Sequence, residues 1–275
     1  MTGCASASSC WGSAGQQGTS SNCGRLGLGR SRSWGSCPTI RGRMRSCRSW
    51  PSFYEKQTGK ILVTDMRPSW LIFSDGFVKT DLTQTVKRTL DIGLALAGLI
   101  CALPVMALVA LVIKLDSMGP VLFRQERVGQ NGRIFVLSKF RSMRADAERS
   151  GAVWAARDDP RVTRVGRILR KTRLDELPQL VNVLRGEMSF IGPRPERPEF
   201  VRLLQHQIPF YMERLSVKPG ITGWAQVRHR YAASIEDTLE KLQYDLYYIK
   251  NLSPFLDLLI LLGTIQVVLF GRGAR

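Results

Sequence analysis

The feature that most constrains this chain is an uncharged apolar run, Ile92–Ile113. Crossing the hydrocarbon core of a bilayer takes a helix of roughly 20 apolar residues, which this run supplies. Lys87 and Arg88 precede it and Lys114 follows it, so basic side chains can reach headgroups at both ends. Pro104 lies mid-run, where it removes one helix hydrogen bond and favours a kink. Hydropathy leaves three arrangements open: a straight or kinked span, a buried core helix, and a re-entrant hairpin that returns to its own face. Orientation follows a lysine and arginine bias between the two sides, and two basic flanks give none. A second apolar stretch, Leu258–Phe270, is interrupted by Gly263, Thr264 and Gln266. It reads as an interfacial helix rather than a span.

Charge adds a second constraint. The 275 residues include 40 Lys and Arg against 22 Asp and Glu, a formal net charge of +18. Such a surplus implies an anionic partner: nucleic acid, a membrane surface or a phosphorylated substrate. The first fifty residues hold seven arginines and no acidic side chain, with little apolar periodicity. Residues 1–51 therefore cannot bury a core and are expected to be disordered. They lack the apolar core of a signal peptide, and their composition fits a GC-rich coding region read out of frame or from a misassigned start. Residues 52–84 read as the remnant of an upstream region or a linker, and residues 85–275 as the functional domain. Five of the six cysteines (Cys4, Cys10, Cys23, Cys37, Cys47) fall in the first fifty residues, without CxxC spacing and far from His206 and His229. Neither a zinc site nor an ordered disulfide framework is expected. Cys101, inside the apolar run, reads as a small hydrophobe.

Beyond the apolar run the pattern becomes mixed. Val121–Glu126 and Arg133–Ser138 predict two strands joined by the turn Gly129-Gln130-Asn131-Gly132. Asp158-Asp159-Pro160 predicts a turn, followed by a helix from about Thr163 with Val165, Ile168 and Leu169 on one face. Leu177, Leu180, Val181 and Leu184 mark a further helix closed by Gly186. Pro178 is tolerated only in a first turn, so that helix is expected to start near Asp175. The expected fold class is α/β and mostly helical.

Asp175 and Glu176 are adjacent carboxylates at that expected helix start, where the macrodipole favours anions. Neighbours on a helix point about 100° apart, so they suit a division of labour, one attacking and one holding a metal ion. Plain acidic capping of a helix is the competing explanation. Lys139, Arg141, Arg170, Arg173, Arg194 and Arg197 flank the pair in sequence, and arginine suits bidentate recognition of phosphate. Gly192-Pro193-Arg194-Pro195 places one arginine on a stiff backbone. No GxxxxGK[ST], GxGxxG after a strand, or HExxH occurs, so the NTPase, dinucleotide and zinc-protease classes have no support.

These motifs together resemble the bacterial polyprenyl-phosphate sugar-phosphate transferases (phosphoglycosyl transferases). The resemblance is carried by Lys87-Arg88-Thr89-Leu90-Asp91, Gly119–Gly129, Lys139–Met143, Thr172–Leu180, Ser189–Pro195 and Lys218–Trp224. Glu240–Asn251 and the ending Phe270–Arg275 resemble the exopolysaccharide branch. The resemblance implies transfer of a sugar 1-phosphate from a UDP-sugar to undecaprenyl phosphate, giving undecaprenyl-diphosphate sugar and UMP. It implies Mg²⁺ and a covalent aspartyl phosphosugar, with Asp175 as nucleophile and Glu176 as metal ligand. Lys139, Arg141 and Arg170 become substrate-phosphate contacts, and Pro193, Arg194 and Pro195 the nucleotide site. A re-entrant, monotopic membrane helix broken at Pro104 is implied, anchored by Lys87, Arg88 and Asp91 at the cytoplasmic face of the bacterial inner membrane. Membrane lipid is then a partner and nucleic acid is not. The chain departs from the family in having Leu90 where phenylalanine is frequent and Leu103 where serine precedes the membrane proline. Relatives of that branch carry membrane helices and a nucleotide-binding-like domain upstream, so the chain reads as a truncated or mis-started form. The rival class is a non-enzymatic, basic, membrane-tethered nucleic-acid-binding protein. Deleting residues 1–50 discriminates, because it removes seven positive charges and weakens only such a binder.

Overall fold

The computed structural model describes residues 50–63, 80–144, 147, 159–229 and 234–269. The expectations for residues 1–49 and for Asp158 lie outside them. Trp50 and Pro51, counted above with the disordered segment, open a helix, α1 (Trp50–Thr58).

The long helix α2 (Asp81–Asp116) is capped by Thr80, whose hydroxyl accepts from the Thr83 amide, and ends at Ser117 in extended backbone. It stays helical on both sides of Pro104, so the two separate arms expected of a hairpin are here one element. One stripe of α2 faces inward: Ala95, Leu99, Ala102, Met106, Val109 and Ile113 are buried or half-buried. Their spacing of three and four residues is that of a single helix face. The other face is apolar and bare, with Ile100, Leu103, Leu108 and Leu111 each more than half exposed.

Strands β1 (Leu122–Val128) and β2 (Ile134–Phe140) pair antiparallel with Val128 opposite Ile134. The expected turn closes them as a 3-10 turn at Gln130–Gly132, with Asn131 at φ 54°. Each strand runs two residues beyond its expected end, to Val128 and Phe140. Inward Phe135 and Leu137 pack with Ala95 of α2 and with Leu180 and Val183 of α4 (Gln179–Arg185). Asn182, 1% exposed, fastens α4 to β2: its Nδ2 donates to the Val136 carbonyl at 2.8 Å, and its Oδ1 accepts from the Ser138 amide at 3.3 Å. Helix α3 (Arg164–Thr172) begins at Thr163 as expected, its hydroxyl accepting from the Gly166 amide. Leu169 is buried there, whereas Ile168, placed on the same face from sequence, is 63% exposed.

Two short parallel strands, β3 (Ser189–Ile191) and β4 (Gly220–Thr222), align Ser189 with Gly220 and Ile191 with Thr222. Side chains have no room where the following loop crosses. A Cβ on Gly192 would stand 2.4 Å from the Lys218 carbonyl oxygen, and one on Gly220 would stand 2.1 Å from the Gly192 amide nitrogen. Helices α5 (Pro198–Gln207), α6 (Trp224–Arg228), α7 (Ile235–Lys250) and α8 (Pro254–Leu269) complete the described chain. The largest core gathers Ile191, Leu204, Tyr211, Trp224, Leu246 and Ile260. Ile61 and Val63, from the stretch read as a remnant or linker, are buried in this same core. The Ile61 amide donates to the Gln243 carbonyl at 3.1 Å, and Trp224 Nε1 donates to the Gly59 carbonyl at 2.7 Å.

Candidate active site

Asp175 and Glu176 lie on a 3-10 turn, Leu174–Glu176, entered through Arg173 in left-handed backbone at φ 60°. The α-helix proper starts only at Gln179 and is seven residues long. The pair therefore sits just ahead of a short helix, and burial and neighbouring cations, rather than a strong macrodipole, set its electrostatics. Both carboxylates are buried, at 8% and 9% exposure.

Their partners differ. Glu176 Oε1 accepts from Arg194 Nη2 at 2.8 Å and lies 3.6 Å from Arg173 Nη1. Burial alone would raise its pKa, but Arg194 and Arg173 outweigh that and hold Glu176 below the usual glutamate range. Asp175 Oδ1 is buried without a hydrogen-bond partner. Burial, reinforced by the Glu176 charge, pushes Asp175 up to about 6, against the pull of Lys139, Arg194 and Arg170.

The cations come from separate elements. Lys139 stands on β2 with Nζ 5.1 Å from the centre of the Phe123 ring, and burial with the nearby Arg127 and Arg194 charges lowers its pKa to about 8. Arg170, on α3, donates from Nε to the Ser142 hydroxyl at 2.9 Å. Arg194 follows β3 in the Gly192–Glu196 loop and hydrogen-bonds Glu176. Pro193 and Pro195 are buried on either side of it.

Arg141, expected at the substrate phosphates, has its guanidinium held at the end of α2. Nη1 donates to the Met118 carbonyl at 2.9 Å, and Nη2 donates to the Ser117 carbonyl and hydroxyl at 2.7 and 2.8 Å. It closes the C-terminal end of α2 and is 5% exposed. Arg173 also lies at the pair, against Glu176. It lies two residues before Asp175 among the flanking arginines, but the left-handed backbone that turns it onto Glu176 leaves no sequence signal at a non-glycine residue.

Lys87, Arg88 and Asp91 tie α2 to the rest of the unit. Arg88 donates to the Val183 and Leu184 carbonyls at 2.7 and 2.9 Å, satisfying the end of α4. Asp91 Oδ1 accepts from the Ser189 hydroxyl and the Phe190 amide at 3.0 and 2.9 Å. Lys87 pairs with Asp257 of α8 at 2.8 Å. Beside Glu176 and Arg173, a largely apolar cavity of about 240 Å³ is walled by Gly98, Leu177, Leu180, Phe190 and Thr264.

The two carboxylates are donors of the kind that Mg²⁺ takes from protein. Mg²⁺ is usually held by one or two carboxylates, the rest of its shell being water and substrate phosphate. Two adjacent carboxylates, one with an unpartnered oxygen, meet that description. Among the described residues no group of three or more His, Cys, Asp or Glu stands ready to hold a metal alone.

Residues 82–271 match the family described as "Bacterial sugar transferase". A UDP-N-acetylgalactosamine-undecaprenyl-phosphate N-acetylgalactosaminephosphotransferase of Aeromonas hydrophila is 47% identical over 221 residues, 80% of this chain and 52% of that protein. A UDP-glucose:undecaprenyl-phosphate glucose-1-phosphate transferase of Escherichia coli (strain K12) is 44% identical over 188 residues, 67% of this chain and 40% of that protein. The exopolysaccharide production protein PSS of Rhizobium leguminosarum bv. phaseoli is 42% identical over 186 residues, 66% of this chain and 93% of that protein. The chain thus spans about half the length, or less, of the first two relatives and most of the third.

Proposed function

Because the chain belongs to the bacterial sugar transferase family, we propose that it transfers a sugar 1-phosphate from a UDP-sugar to undecaprenyl phosphate, releasing UMP, in exopolysaccharide synthesis. The observation that carries this reading is Asp175. It is a buried carboxylate with one oxygen unpartnered, and three cations act on it from three different elements.

In the first step an Asp175 oxygen attacks the phosphorus bonded to the sugar. A carboxyl–phosphorus bond forms, the diphosphate bridge breaks, and its electron pair leaves with UMP. In the second step a phosphate oxygen of undecaprenyl phosphate attacks the same phosphorus and releases the aspartate as a carboxylate. Covalent catalysis of this type divides one displacement into two. Lys139 and Arg170 bind the phosphate oxygens and Arg194 the nucleotide side, countering charge that gathers in the transition state. Glu176 would hold Mg²⁺, which would supply positive charge to the attacked phosphate. The apolar cavity beside Glu176 suits the first isoprene units of the acceptor, which would then meet the site between α2 and α8. The catalytic face would lie at the cytoplasmic side of the inner membrane.

The relatives act, by their names, on different sugars, so the sugar is the open variable. Incubating the detergent-solubilised protein with undecaprenyl phosphate and a panel of UDP-sugars, and measuring UMP, tests the reading. We expect repeated turnover, read as UMP in excess of enzyme, that requires one UDP-sugar, the lipid and Mg²⁺. No release with any of them would sink the transferase assignment.

A further inference from the structure

Arg194 can serve a nucleotide only if its backbone is fixed, and the loop that carries it cannot fix itself. Pro193 and Pro195 have no amide to donate, so much of the order comes through the carbonyls. The four from Pro193 to Glu196 are held by three parts of the chain: β1, β4 and the turn that carries Arg214. The Gly220 amide donates to Pro193 and the Val128 amide to Glu196, at 2.9 and 3.0 Å. Arg127 donates to the Pro195 carbonyl at 2.9 Å. The Arg194 carbonyl accepts from Arg214 Nη2 at 2.9 Å.

Arg214 stands on a 3-10 turn, Tyr211–Ser216, and is 3% exposed. The same guanidinium donates to Asp245 Oδ2 on α7 and to the Tyr211 hydroxyl, both at 2.9 Å. Asp245 is 2% exposed. A charge buried that deeply is expensive unless it is paired and hydrogen-bonded. Replacing both partners by apolar side chains is often no less stable, so stability alone does not account for the pair. What it adds is direction, because three donors of one rigid plane set the Arg194 carbonyl relative to α7 and to Tyr211.

We propose that Arg214, oriented by Asp245, is a positioning residue that presets Arg194 for the nucleotide sugar through the Arg194 backbone carbonyl. This rests on the reading of Arg194 as the nucleotide contact. Neither Arg214 nor Asp245 touches substrate.

Arg214→Lys and Asp245→Asn test it. Lysine keeps the charge but is a single point that cannot serve Tyr211, Asp245 and the Arg194 carbonyl at once. Both variants are expected to raise KM for the UDP-sugar roughly five- to tenfold, with kcat changed less than about threefold. Hydrogen exchange read without substrate is expected to quicken about tenfold at the Gly220 and Val128 amides, which hold the same loop, and not in α2. Unchanged KM, or exchange that quickens evenly across the chain, would overturn the proposal by making the pair merely structural. The exchange measurement needs no turnover. If the wild-type protein released no UMP, the functional reading would fall, while the amides would still decide whether Arg214 orders the loop.

Discussion

Asp175 and Glu176 are neighbours in sequence, yet their surroundings push their proton affinities apart. Glu176 has Arg194 and Arg173. Asp175 has burial and a like charge beside it. Because the folded-state pKa of Asp175 is raised, folded protein binds its proton more tightly than unfolded chain does. Stability then falls as pH rises from about 4 to about 6, and the penalty persists above that. We predict that metal-free Asp175→Asn protein, denatured in a chelating buffer, matches wild type below about pH 4 and exceeds it at pH 7 by up to about 3 kcal/mol. Equal stabilities at pH 7 would mean that the carboxylate is not under strain. The same variant is expected to release no UMP, since an amide has no anionic oxygen. The sequence made this pair legible as adjacent carboxylates among arginines. It did not show that Arg173 meets Glu176 or that Arg141 bonds the end of α2, because linear proximity says nothing about which carbonyls a guanidinium has already taken.

Elements were readable where one face alone is buried. The hairpin turn and the Thr163 cap stand where turn and capping chemistry put them. The start of α4 was harder, because Pro178 stands at its N-cap while Asp175 and Glu176 fall on a separate 3-10 turn ahead of it. The role of residues 54–63 was also hidden. Ile61 and Val63 are too few to show a period, and their partners lie about 180 residues away, as in the Lys60–Glu240 pair. Glu55 is held by Lys250 at 2.8 Å, also on α7. At this scale Arg141 makes a test of its own. Truncating a buried guanidinium that makes three bonds costs at least about 2 kcal/mol. Arg141→Ala is therefore expected to lower the thermal midpoint clearly, with KM for the UDP-sugar within about twofold of wild type. A large rise in KM without loss of stability would return Arg141 to the phosphate site.

The packing of α2 bears on how the whole molecule meets a bilayer. Ala95 and Ile113 are both buried, at 0% and 2% exposure. Along a straight helix they stand about 27 Å apart, close to the roughly 30 Å of a hydrocarbon core. Ala95 packs with Leu180 and Val183, and Ile113 with Phe140 and Leu169. All of these belong to one compact unit, Cys47–Arg275. A perpendicular crossing would pull one group of contacts away from that unit. We therefore predict that the bare faces of α2 and α8 enter one leaflet while both ends of α2 stay on one side. Cysteines placed at Gln84 and Met118 in a cysteine-free background should react with an impermeant maleimide from the same side of sealed vesicles, and opposite sidedness would mean a span. Hydropathy alone could not decide this, because it records what α2 is made of and not what it leans on. The most direct test of the chemistry uses this same membrane-bound protein, Mg²⁺, and a UDP-sugar labelled in the phosphate next to the sugar, with undecaprenyl phosphate left out. Label should become covalently attached to the wild-type protein, map to Asp175, and leave as lipid product when undecaprenyl phosphate is added. Normal turnover by Asp175→Asn protein, or label on any other residue, would contradict it.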